Sequence, residues 1–318
     1  MALFLSENDV KQLLTVAVAL EAVESAHRDL ARGEAQDTPR ARTRLPQTVL
    51  HILHGALPAQ GVLGYKAYTS NRSGNRFYIH LFDAASGRHR AIIEADYLGM
   101  IRTGAASGVA ARALARPDAR VAGVFGAGWQ AEGHVRALCA ALPLERVKVF
   151  ARDGARLADF CRRLGEATGI AVVPAASPEE AVRGSDVIGT VTTAAEPLFD
   201  AAWLEPGTHI NAAGSNALIR RELSEAVLKR CSLICVDAVP TALAEAGDLL
   251  PLLEKGRFHP RQLVELGDIL TGKAPGRTSP EQITVFESQG MAIQDLAVAL
   301  RVVDAAVARG IGVELPLQ

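Results

Sequence analysis

The sequence predicts an α/β protein in which a doubly wound parallel sheet is joined to an α+β segment. Three observations carry this. From Arg120 onward, short apolar β runs (VAGVFGAG, RVKVFAR, IAVVPAA, SDVIGTVT, THINAAG and SLICVDA) are mostly separated by helical or polar stretches, the pattern of a parallel sheet covered on both faces. The first run continues as VAGVFGAGWQAEGHVRAL, passing from β-formers through a glycine cluster into a helix-period run. Before Arg120 the order differs, with helix first and several strand-like pieces after it. For 318 residues, two domains are the natural expectation.

Taken in order, SENDVKQLLTVAVALEAVESAHRDLARGEA has Ser6 as N-cap, a break near Leu14 to Val16, and a long helix to Gly33. ARTRLP, TVLHILHGAL, VLGYKAYTS and RFYIHLFDAASGRHRAIIEA read as strands, the last with a hairpin signal from Asp83 to Gly87. DYLGMIRTGAASGVAARALA reads as a helix whose small residues suit close packing on a neighbour or a ligand. Near the end, TSPEQITVFESQGMAIQDLAVALRVVDAAVARG runs from a strand into an amphipathic helix long enough to return to the first domain. The expected division is discontinuous: residues 1–115 with 286–318, and residues 116–285.

With 34 basic and 35 acidic residues the net charge is −1, which gives no reason to expect a nucleic-acid or anionic-membrane partner. Cys139, Cys161, Cys231 and Cys235 form no CxxC pair and have no His at zinc-finger spacing, so reduced thiols and no metal site are expected. No apolar run is long enough to span a bilayer, and MALFLSENDVKQLL lacks the basic start of a signal peptide. The expectation is a soluble, cytoplasmic protein.

Gly126, Gly128 and Ala131 fit G-x-G-x-x-(G/A) directly after a strand and at the opening of a helix. The first glycine permits the tight turn, the second lets a pyrophosphate approach the backbone, and the small third residue lets helix and strand pack closely. Glycine spacing alone also fits a plain strand-to-helix connection. The next β run, RVKVF, ends where a Rossmann-type unit places its ribose-reading residue, and the two features together point to a dinucleotide. At that tip stand Ala151 and Arg152, and an arginine there offers a fork of donors to a 2′-phosphate. NADP(H) is therefore preferred. Asp153, one place on, can still reach a ribose, so NAD(H) stays possible.

In the first domain, Val62, Gly64, Lys66 and Tyr68 share one strand face. A lysine on a half-apolar face suits a ligand or an acid, although a snorkelling edge-strand lysine fits periodicity equally well. Arg42, Arg44 and Arg102 are further cationic candidates that read unaided as surface charges. His54 lies on a strand, and His134 reads as a packing residue.

Taken together, these segments resemble the ornithine cyclodeaminase/μ-crystallin family over nearly the whole chain. ARTRLP is similar to the family's first carboxylate-binding arginine segment, with Arg42 in the matching place, and GYKAYTS to the segment carrying its substrate lysine, Lys66. MIRTGAASGVAARALARP resembles the helix with paired Arg102 and Thr103, and FGAGWQAEGHVRAL the G-x-G-x-Q-A turn, which adds Gln130. SDVIGTVTTAAEPLF, LEPGTHINAAGSN, VDAVPTALAEAGDL and ITVFESQGMAIQDLAVA follow in the family's order.

The resemblance implies an α+β substrate-binding domain that forms a homodimer, with a Rossmann domain beside it. It implies that Arg42, Lys66 and Arg102 bind a substrate carboxylate in the cleft near the nicotinamide, and that Arg102 and Thr103 touch the cofactor phosphates. Thr192 would lie beside the dinucleotide and Ser288 near the nicotinamide ring. Asp237 and Asp248 also fit family positions but read as structural. The step shared by the family is hydride transfer between a nicotinamide and the carbon of an α-amino or α-imino acid. In the cyclodeaminases an aspartate acid/base stands six residues before a Glu-Leu pair; counting back from Glu222 and Leu223, this chain has Asn216. An amide orients by hydrogen bonding but takes no proton as a carboxylate does. NADPH-dependent reduction of a small, cyclic α-imino acid is therefore the first expectation, with Lys66 and Asn216 as catalytic candidates. An alanine- or opine-type amino-acid dehydrogenase comes next and an ornithine cyclodeaminase after it. A non-catalytic, NADP-binding μ-crystallin-like protein is the alternative of another class.

Overall fold

The computed structural model describes residues 2–317. It divides into two compact units, Met1–Arg102 with Gly290–Gln318, and Thr103–Gln289.

The first unit opens with β1 (Ala2–Leu5), a strand too short for periodicity to announce. Ser6 then caps α1 (Glu7–Leu13): its backbone N–H donates to Asp9 Oδ2 at 2.9 Å while its hydroxyl accepts from the Asp9 N–H. Thr15 restarts the chain as α2 (Val16–Ala31) by accepting from the Val18 N–H. The break expected near Leu14 to Val16 is thus a change of cap. The strands β2 (Gln36–Arg44), β3 (Thr48–Leu57), β4 (Val62–Asn71), β5 (Gly74–Asp83) and β6 (His89–Glu94) form an antiparallel meander. At the expected hairpin, Asp83 Oδ1 accepts from the Ser86 N–H at 2.7 Å. Helix α3 (Asp96–Leu114) then carries the chain into the second unit.

There the order is β7 (Val121–Phe125), α4 (Trp129–Ala141), β8 (Arg146–Phe150), α5 (Gly154–Thr168), β9 (Ala171–Pro174), α6 (Pro178–Val182), β10 (Val187–Thr190) and β11 (His209–Ala212). It continues with α7 (Glu225–Arg230), β12 (Leu233–Val236), α8 (Val239–Glu245), α9 (Leu250–Glu254), β13 (Leu263–Glu265), α10 (Leu266–Leu270) and β14 (Thr284–Glu287). All eight strands pair in parallel, in the order β13-β12-β14-β11-β10-β7-β8-β9. From β7 the chain moves outward through β8 and β9, then returns to β10 on the other side of β7. That reversal is where open α/β sheets bind ligands, beyond the carboxyl ends of the strands. Neighbouring Val124 and Phe125 enter different apolar clusters, one with Val135, Val147 and Leu164, the other with Ile188, Ile210 and Val227. The small-residue character of α3 has a steric purpose: a Cβ on Gly104 would lie 2.1 Å from the carbonyl oxygen of Gly133 on α4.

The chain returns to the first unit in α11 (Ala292–Arg309) and β15 (Val313–Leu315), completing the sheet β15-β1-β6-β5-β4-β3-β2. Helix α11 packs on α2 and across β3, β4 and β5. It covers the face bearing Leu53, Leu57, Val62, Ile79 and Leu81, all fully buried. The opposite face shows Leu50, Leu63 and Tyr78 exposed, with Ile52, Tyr65, Phe82 and Ile92 half-buried. Among the described residues no helix is long and apolar enough to cross a membrane, and no group of three or more His, Cys, Asp or Glu side chains is placed to hold a metal ion.

Candidate active site

In the first unit two of the residues singled out by sequence, Lys66 and Arg102, meet on one carboxylate. β4 alternates, so Val62, Gly64 and Lys66 turn toward α11 while Leu63 and Tyr65 turn away. Lys66 Nζ lies 2.6 Å from Asp295 Oδ2, and Arg102 Nε donates to Asp295 Oδ1 at 2.8 Å. Lys66 is 3 % exposed, Arg102 6 % and Asp295 0 %. Arg102 Nη1 also donates to Gln294 Oε1 at 2.9 Å, and Gln294 Nε2 is 3.0 Å from His27 Nε2. A Cβ on Gly290 would fall 2.7 Å from Arg102 Nη1, so only a glycine lets the guanidinium lie this close to the backbone.

Two cations on one carboxylate leave a positive charge over. Burial, and then the neighbouring Arg102 guanidinium, push Lys66 down to about 7 although Asp295 pulls the other way; Arg40 adds a further downward push. Arg40 was not singled out by sequence. Arg42 lies opposite His51 in the β2–β3 register, and His51 lies opposite Tyr68, one pleat repeat along from Lys66 and on the same face. Burial and the cluster Arg40, Arg42 and Arg44 push His51 down to about 4, so it is neutral near pH 7. His54 is exposed and pairs with Tyr65, on the face away from Lys66.

In the second unit the glycine turn has the features a bound dinucleotide needs. Gly126 sits at φ +113°, a backbone conformation that favours glycine, and a Cβ there would come 2.6 Å from the Val191 carbonyl oxygen. Gly128 is the N-cap of α4, with nothing within 4 Å of where a Cβ would stand, so the helix N-terminus is open to an anion. Ala131 is fully buried, as close helix–strand packing requires. Gln130 Oε1 is buried with no hydrogen-bond partner, so one polar atom beside the turn is left for a ligand. At the tip of β8, Arg152 is exposed, and Asp153 accepts from the Arg156 N–H at 3.2 Å as the N-cap of α5. The carboxylate that would compete for a ribose is thus engaged in helix capping.

The loops after β10 and β11 are tied together by a residue the sequence offered only as a counting mark. Glu222 accepts from the Thr192 N–H at 2.6 Å, from the Thr192 hydroxyl at 2.7 Å and from the Gly214 N–H at 2.8 Å. Asp248 in turn accepts from the Glu222 and Leu223 N–H groups at 2.7 and 2.8 Å. Burial raises Glu222 and, with the nearby Glu222 charge, pushes Asp248 up to about 7; Glu287, fully buried among them, is raised well above the carboxylate range. Ser288 donates to Asp237 Oδ2 at 3.2 Å, and the Gln289 N–H donates to the same oxygen at 2.7 Å. Asn216 is half-buried in the loop after β11, its N–H donating to the Gly214 carbonyl at 3.2 Å. Thr103 begins this unit, immediately after Arg102 on α3.

Comparison with known proteins agrees with this arrangement. The family model for the ornithine cyclodeaminase/mu-crystallin family matches residues 1–310. A Delta(1)-pyrroline-2-carboxylate reductase from Bacillus cereus is 33% identical over 322 residues, covering 98% of both chains. The structure of Thermococcus litoralis Delta(1)-pyrroline-2-carboxylate reductase in complex with NADH and L-proline superposes with a TM-score of 0.94 at 29% identity, covering 98% of this chain and 100% of that one. An archaeal alanine dehydrogenase dimer with bound NAD gives 0.93 at 32% identity, covering 99% and 98%. The chain belongs to the ornithine cyclodeaminase/mu-crystallin family.

Proposed function

We propose that this chain is a nicotinamide-dependent oxidoreductase that reduces a small, cyclic α-imino acid. The observation that carries the reading is the surplus positive charge of the Lys66–Asp295–Arg102 cluster, buried in a chain that resembles a Delta(1)-pyrroline-2-carboxylate reductase over nearly its full length. A carboxylate with an adjacent C=N supplies the anion this cluster lacks. Arg102, Lys66 and Arg42 fix that carboxylate, which fixes the orientation of the carbon beside it. A nicotinamide cofactor held by the glycine turn would supply the hydride for that carbon. The Lys66 ammonium gives its proton to the imine nitrogen, so C=N becomes HC–NH, and Lys66 is reprotonated from solvent. Asn216 orients the nitrogen or a water by hydrogen bonding. That role supports reduction over cyclodeamination, which needs a group able to hold the proton.

The glycine turn of Gly126, Gly128, Gln130 and Ala131 holds the dinucleotide in this reading, with Arg102, Thr103, Thr192 and Ser288 also lining it. In this reading the first unit binds substrate and the second binds cofactor. The engaged Asp153 and the exposed Arg152 support NADP(H), although the relatives above are described with NADH and NAD. The second reading is an amino-acid dehydrogenase, favoured by the likeness to alanine dehydrogenase. The open apolar face around Leu63 and Tyr65, and the relative described as a dimer, support a homodimer.

The test follows reduced-cofactor absorbance with NADPH and with NADH, on Δ1-pyrroline-2-carboxylate and Δ1-piperideine-2-carboxylate. A parallel arm offers NAD⁺ with L-ornithine and measures proline and ammonia, and another offers pyruvate with ammonia. Imine turnover without proline from ornithine is the expected result, with Arg152→Ser raising the KM for NADPH and leaving that for NADH. Turnover of pyruvate and ammonia alone would favour the second reading. Proline from ornithine would overturn the role given to Asn216, and cofactor binding with no turnover in any arm would make the chain a binding protein.

A further inference from the structure

We propose that Asp295 is a positioning residue for the reduction, its two oxygens holding the Lys66 ammonium and the Arg102 guanidinium in one geometry and keeping the lysine proton available. The inference rests on the reading above that Lys66 serves an α-imino acid.

The geometry is specific. Each cation takes a different oxygen of the same carboxylate, at 2.6 and 2.8 Å, and the three charged groups come from β4, α3 and the first turn of α11. An ammonium has three N–H donors and a guanidinium five; Asp295 takes one from each, and Gln294 takes a second from Arg102. The carboxylate is itself held in place: it lies on a helix that packs on β2, β3, β4 and β5, its neighbour Gln294 fastens the far side of Arg102, and Asp37 accepts from the Ile293 N–H at 3.1 Å.

Charge gives Asp295 a second role. Facing Lys66 are the cations Arg102 from α3 and Arg40 from β2, the anion Asp295 from α11, and the apolar Leu53 and Ile79 opposite it in the β3 and β5 registers. His27 of α2 adjoins the cluster at Gln294, its Nε2 lying 3.0 Å from Gln294 Nε2. Of these groups only Asp295 favours the protonated lysine. Replacing it by asparagine keeps the size and a hydrogen-bonding oxygen and removes the charge. One of the two cations then faces the amide NH2 in place of an oxygen, so the KM of this variant reports the lost placement and its pH profile the lost charge.

The experiment measures kcat and KM for Δ1-pyrroline-2-carboxylate from pH 5.5 to 9 (a range chosen to span the Lys66 value of about 7) in the wild type and in Asp295→Asn. The alkaline limb of the kcat profile is expected to move down by about one pH unit or more. Activity lost at neutral pH then returns as the solution is acidified. In parallel, the 15N resonance of Lys66 Nζ, assigned with Lys66→Arg, is titrated in the protein without cofactor and is expected to move the same way. An unmoved titration in the variant, or a loss of the same factor at every pH, would overturn the proposal. Asp295→Glu keeps the charge and displaces it by one methylene, so it is expected to raise KM with the limb in place. If Asp295→Asn does not fold, a displaced limb in Asp295→Glu with KM unchanged would overturn the proposal instead. A wild type inactive on every imino acid, with Lys66 still titrating as expected, would sink the functional reading and leave the placement of Asp295 standing.

Discussion

Lys66 is held in a condition that serves chemistry better than stability. Its ammonium is buried beside two other cations and has one carboxylate in return, so burial lowers its affinity for the proton. The sign for activity follows: the ammonium is present below about 7 and is lost as pH rises through that value, so a step that consumes its proton should slow on the alkaline side. Lys66→Met fills the same space among Leu53 and Ile79 and leaves Asp295 paired with Arg102. We expect roughly 10²-fold or greater loss of reductase activity with an unchanged or higher Tm, because an apolar group replaces a costly buried charge. Equal losses of activity and Tm would instead mark Lys66 as structural.

At the scale of elements, two glycines near each other in the fold make opposite predictions. Gly128→Ala places its Cβ in open space at the start of α4, so Tm should hold; if a pyrophosphate approaches there, as proposed, the KM for NADPH and NADH should rise. Gly104→Ala drives a Cβ into the backbone of α4, so α3 and α4 must separate; a loss of about 1–3 kcal/mol is expected in chemical denaturation. If both variants behaved alike, the open edge at Gly128 would be a packing feature only. The carboxyls at the strand ends make a pH prediction. Asp248 and Glu287 are raised above their unfolded values, so the stability they lend is complete below about pH 4 and is lost as pH rises, for Asp248 through about 7. Glu287→Gln should therefore match the wild type in acid and exceed it by on the order of 1 kcal/mol above neutrality. A gain independent of pH would locate the effect elsewhere.

For the whole molecule, the open face of the first unit's sheet is the feature a lone chain leaves unexplained. Leu63 is 39 % exposed there, beside the stacked rings of Tyr65 and His80. If a second copy covers this face, light scattering should give a dimer for the wild type and a monomer for Leu63→Asp, with the far-UV spectrum unchanged; a monomeric wild type would refute it. Sequence by itself determined most of the architecture. Glycines, caps and apolar periodicity are local signals, and they placed Ser6, the Asp83 hairpin, the turn at Gly126 and the alternation that turns Lys66 away from Tyr65. Family resemblance gave Arg42 and Arg102 a role and added Thr103, Gln130, Thr192, Asn216 and Ser288 as positions, without their partners. Only the tertiary structure joined Arg102 to Asp295, 193 residues apart, and chose Glu222 to clasp the loops of Thr192 and Gly214. A carboxylate on an amphipathic helix has the same local pattern whether it faces water or two buried cations. Packing removes the water, and with it goes the screening that would have made those charges ordinary.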